Sequence, residues 1–84
     1  MSPARTIGPA AILDGLRAYD AMGRERSLPN AAFVDARLMA QGYSEADAAR
    51  ILNHLDHCDF IEWGVSMRSG WLTDKGRAWL ADPR

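Results

Sequence analysis

Within nine residues, from Arg50 to Cys58, the chain places an arginine, an asparagine, two histidines and a cysteine. His54 and Cys58 are four apart, so a helix puts them on one face, and zinc accepts both imidazole and thiolate. A structural zinc site wants four ligands, however, and neither a fourth ligand nor a paired-cysteine signal accompanies His54, His57 and Cys58. A cysteine nucleophile would need a contacting histidine and a third group to orient it. With no glycine-rich loop and no second catalytic cluster, we read no enzyme, metal or cofactor here. Cys58 is then a small buried hydrophobe and the histidines are surface or boundary residues. Arg50 and Asn53 carry a different chemistry. They are the residue types that address guanine and adenine, respectively, through paired hydrogen bonds.

Five further arginines, Arg24, Arg26, Arg37, Arg68 and Arg77, could touch phosphates, which positions a protein on DNA without specifying sequence. The total charge works against that use. Ten basic and eleven acidic side chains leave a formal charge of −1, whereas a domain devoted to phosphate binding is usually basic. The same arginines also fit a solvated surface of mixed charge. Trp63, Trp71 and Trp79 form a second group of interest. Most tryptophan surface in so small a chain should be core. An outward Trp71 flanked by arginine would instead suit a protein interface, with Tyr43 and His57 as weaker candidates of the same kind.

Positioning these side chains requires helices first. Pro9 suits a first helical turn, and Ile12, Leu13, Leu16 and Tyr19 recur at helical spacing toward a stop near Gly23. Residues 1–8 read as a mobile arm and 9–82 as one domain. Ser27–Leu28 can form a short extended piece. Asn30 is a suitable N-cap for a second helix whose stripe is Phe33, Val34, Leu38 and Met39, ended by Gly42. Ser44 caps a third helix, with Asp47 in a capping-box-like position. Ala48, Ile51, Leu52, Leu55 and Cys58 give its buried face. That leaves Glu45, Asp47, Arg50, Asn53, His54 and His57 outward. The two acids at its start favour the helix dipole, and would cost affinity were DNA to approach them.

From Phe60 the period changes. Ile61, Trp63, Val65 and Met67 alternate with polar or small residues, which predicts a half-buried strand. "RSG" makes a turn, "WLT" returns as a partner strand, and Thr73 caps a last helix in which Ala78, Trp79 and Leu80 can pack inward. A hairpin alone is marginal in water, and this helix would cover it. Gly76 costs helix propensity and is expected where backbones approach closely.

The bulk numbers bound the rest. A chain of 84 residues allows one domain, with stability near the low end of about 5–15 kcal/mol. No apolar run reaches the ~18 residues of a membrane span, and the first residues lack a signal-peptide core. The lone Cys58 cannot form an internal disulfide, so a cytoplasmic protein with no membrane partner is the expectation.

The run "SEADAARILNHLDHCDFIEW … GWLTDKGRAWL" resembles the winged helix-turn-helix superfamily. It is similar to the DNA-binding domains of the multiple-antibiotic-resistance and phenolic-acid regulators, over roughly residues 27–80. The resemblance implies a mainly α fold with a small β wing, in the order helix, short strand, helix, helix, strand, strand, helix. It implies a transcriptional regulator bound to double-stranded DNA. The third helix would read the groove through Arg50, Asn53 and His54, with Arg37 and Arg68 on phosphates. It also implies a homodimer formed through the first helix, the arm and the last helix. Two departures stand out: a very short wing with one basic residue, Arg68, and adjacent Trp71 and Leu72. Adjacent strand residues face opposite ways, and the Leu-Thr pattern implies that Leu72 faces inward. The neutral charge, short wing and acidic helix start support a different use. On that alternative the chain is a winged domain of phage or mobile-element origin that docks on a host protein or defence complex.

Overall fold

The computed structural model describes residues 7–83. Four helices, α1 (Pro9–Glu25), α2 (Val34–Ala40), α3 (Glu45–His57) and α4 (Asp74–Ala81), accompany two short strands, β1 (Ile61–Glu62) and β2 (Trp71–Leu72). The class is α+β, mostly helical with one antiparallel two-stranded sheet.

Three amphipathic helices bury one shared core. Leu16, Tyr19 and Met22 of α1 meet Val34 and Leu38 of α2 and Ile51 and Leu55 of α3, all buried. α1 runs past Gly23 to Glu25. Of the expected arm, residues 1–6 lie outside the described residues, while Ile7 packs against the core and Gly8 is the N-cap of α1. α2 stops where Gly42 takes φ +111°, a conformation favouring glycine, and Gly42 and Tyr43 return their N–H groups to the last carbonyls of α2. Ser44 then starts α3, its Oγ accepting from Asp47 N at 3.0 Å.

The second side of the core comes from the sheet and α4. Ile61 pairs with Leu72 and both are buried, whereas Glu62 pairs with Trp71 and both are exposed. Leu72 therefore faces inward, as the Leu-Thr pattern requires. Thr73 organises the start of α4. Its Oγ1 accepts from Gly76 N at 3.1 Å and donates to Asp59 O at 2.6 Å, and its own N–H donates to Phe60 O at 3.0 Å. Gly76 sits directly on that Phe60 carbonyl, so a Cβ there would run into the oxygen. The close backbone approach expected at Gly76 is present.

Several sequence expectations fail. Residues 27–28 lie in a turn, so among the described residues no third strand joins the sheet. Asn30 does not cap α2; it takes φ +62°, a left-handed conformation asparagine tolerates, and α2 begins only after Phe33. The period-two strand ends at Glu62. Gly64 and a 3-10 turn at Met67–Ser69 break the alternation, leaving Trp63 41% and Val65 99% exposed. Phe33, Met39 and Ala78 face outward, because α2 and α4 are too short for a wide apolar stripe and bury few positions each.

Candidate interaction surface

The face built by the start of α2, the outward side of α3 and the 3-10 turn holds most of the residues singled out above. The turn is pinned from both ends. Ser66 Oγ accepts from Arg68 N at 3.1 Å, and the buried Tyr19 hydroxyl donates to Met67 O. Burial holds the Tyr19 phenol well above its usual range, with the charges of Asp56 and Asp35 acting in the same direction. It therefore remains a donor at every physiological pH.

That pinning aims Arg68 at α2. Its Nε donates to Asp35 Oδ2 at 2.9 Å, and its guanidinium lies 4.6 Å from the centre of the Phe33 ring. The other candidate arginines are similarly engaged. Arg37 donates to Glu25 Oε1 and to Ala32 O, each at 2.9 Å, which ties α2 to the end of α1. Arg50 lies 3.8 Å from Asp47. Arg24 is bonded to Asp20, and Arg77 lies 3.3 Å from Asp74. Arg26 donates to Gly70 O at 2.6 Å and covers the exposed Trp71 ring at 4.5 Å. Sequence gave no sign of the partners Asp35, Glu25 and Phe33. The Arg68–Asp35 pair spans 33 residues and the Arg37–Glu25 pair 12, so only the fold joins them.

On α3, Asn53 and His57 are exposed and His54 is half-buried. His54 Nε2 lies 3.6 Å from Cys58 Sγ. Cys58 itself is half-buried at the C-cap rather than enclosed in the core. Among the described residues no group of three His, Cys, Asp or Glu side chains is arranged to hold a metal. Tyr43 is occupied in a structural contact. Its hydroxyl donates to Asp14 Oδ2 at 2.6 Å, closing the α2–α3 turn onto α1, and this bond raises its pKa to about 12. Trp63 Nε1 donates to Asp56 Oδ1 at 3.0 Å.

Between α3 and the 3-10 turn runs an open groove of about 540 Å3, lined by Asp35, Glu45, Ala49, Leu52, Asn53, Ser66, Met67 and Arg68. It brings Asn53 and Arg68 together. Arg37 is not among its lining residues, and Trp71 lies with Arg24 and Arg77 along a second groove of about 240 Å3 beside Gly23. No helix among the described residues is long and apolar enough to cross a membrane. No protein-family profile matches the chain, and neither a curated protein nor a solved structure matches it significantly.

Proposed function

We propose that this chain is a winged helix-turn-helix-type domain used to dock on a protein, such as a phage or mobile-element protein acting on a host factor. One observation carries the reading. Where a DNA-binding winged domain needs free positive charge, on α3 and the wing, the charge here is mixed. Arg68 is held by Asp35, Arg50 lies beside Asp47, and Glu45 opens the helix. Acids in that position repel phosphate. Beside the same turn stand exposed Phe33 and Val65, with the Arg26–Trp71 stack just beyond it. Arginine and tryptophan are the residues most enriched at the energetic centres of protein interfaces.

The test is capture of partners with the wild-type chain and with Trp71→Ala as paired baits. The reading expects a specific partner whose binding weakens by ~2 kcal/mol or more in the variant while the fold survives. A complex unaffected by the change removes Trp71 as the anchor.

A second reading, a DNA-binding regulator, has its own support. Arg50 and Asn53 are three apart on the Ser44-capped helix, and Asn53 is exposed. Neighbours at that spacing can address adjacent bases. On this reading Arg50→Ala costs about 1–3 kcal/mol and relaxes specificity at one base position. Unchanged affinity for a mapped site would remove Arg50 from the recognition set.

A further inference from the structure

The groove between α3 and the 3-10 turn has a chemistry narrower than "protein partner". Its apolar lining is Ala49, which is exposed, Met67, which is half-buried, and the edge of the buried Leu52. Its charged rim carries two carboxylates, Asp35 and Glu45, against one guanidinium, Arg68. The Arg68–Asp35 bond cancels one pair, and Arg68 is drawn over Phe33. Glu45 is left over: it is exposed and makes no hydrogen bond or ion pair with any described residue. Asn53 adds an exposed amide on the same wall. At about 540 Å3 the groove is large enough for one or two side chains of a peptide segment. An apolar lining beside an anion that no cationic side chain holds complements an aliphatic side chain next to a cation, and it disfavours both phosphate and acidic peptides.

We infer that this groove receives a lysine- or arginine-bearing apolar segment of the protein partner. The inference rests on the protein-docking reading and specifies where contact is made and by what chemistry. Glu45 receives the cation, Ala49 and Met67 receive the neighbouring aliphatic group, and Asn53 bonds the segment's backbone.

The experiment is a titration of the 15N-labelled full chain, followed by amide chemical shifts, with three probes. These are acetyl-Leu-Lys-Leu-amide, acetyl-Leu-Glu-Leu-amide and a random-sequence DNA duplex. The lysine peptide should shift the signals of Ala49, Asn53 and Met67, and the glutamate peptide should leave them in place. Glu45→Gln should weaken the lysine peptide about threefold, as expected for one solvent-exposed charge pair. Ala49→Phe, which fills the groove, should abolish the response while the rest of the spectrum is kept. Equal response to both peptides, shifts elsewhere on the surface, or no response overturns the groove assignment alone. Salt-dependent shifts along α3 with the duplex instead overturn the docking reading beneath it.

Discussion

Arg68 and Asp35 form a bridge between the 3-10 turn and the first turn of α2, with Nε and Oδ2 2.9 Å apart. The one basic residue between β1 and β2 is thereby engaged within the molecule. The same residue lies over Phe33, so its charge and its planar face are both engaged.

Releasing that arginine should change what the surface attracts. In an Asp35→Asn/Glu45→Gln variant, affinity for a DNA duplex at low salt should rise, and the slope of log affinity against log salt should steepen by about one phosphate contact. Stability should fall by no more than ~1 kcal/mol, because the bridge is solvent-exposed. Anisotropy and urea unfolding read the two quantities. An unchanged duplex affinity would mean that Asp35 does not restrain Arg68.

Two glycines in helices should respond oppositely to alanine. Gly76→Ala forces a methyl group into the Phe60 carbonyl and should cost roughly 2–4 kcal/mol. Gly23, inside α1 with open space around it, should gain up to about 1 kcal/mol as alanine. Urea midpoints measure both. Equal effects at the two sites would contradict the packing of α4 on the α3–β1 turn.

Tyr19→Phe should loosen the segment that carries Arg68. The change removes the hydroxyl that satisfies Met67 O and should cost about 1–3 kcal/mol. Amide hydrogen exchange at residues 67–70 should accelerate more than in α3. Uniform acceleration would indicate a global effect instead.

Alkaline pH should act through Tyr43. Its pKa in the folded chain is raised to about 12 by the bond to Asp14, against 10.0 for an unperturbed tyrosine. A raised pKa stabilises the fold below the unfolded value, and that contribution is lost as pH rises from 10 toward 12. Tyr43→Phe should start less stable and lose less over that window. Parallel pH profiles for the variant and wild type would show that the Asp14 bond contributes nothing.

What sequence revealed and what it hid divide along the range of the interactions. Ser44 and Thr73 were legible because a capping oxygen acts three residues away, and both make that bond. The buried stripe of α3 was legible from its period as far as Leu55, whereas Cys58, expected with it, is half-buried. Gly76 was legible as a propensity cost needing a reason, and Phe60 is the reason. The strand beyond Glu62 was misread because alternation also arises by chance over four or five residues. Trp63 finds Asp56 and Val65 faces solvent. Asn30 was misread because asparagine suits both an N-cap and a left-handed turn, and only the chain path decides between them. The pairing of each arginine lies beyond sequence reading, since it depends on which elements the core brings together.

The most direct test of the central claim is fluorescence anisotropy of a labelled random duplex against this chain, from low to physiological salt. Protein docking through a charge-mixed α3 face predicts no binding at physiological salt and at most a weak, shallow response at low salt. Clear binding whose log affinity falls with log salt at a slope of about −3 to −5 would contradict it, because several arginines would then be reaching phosphates.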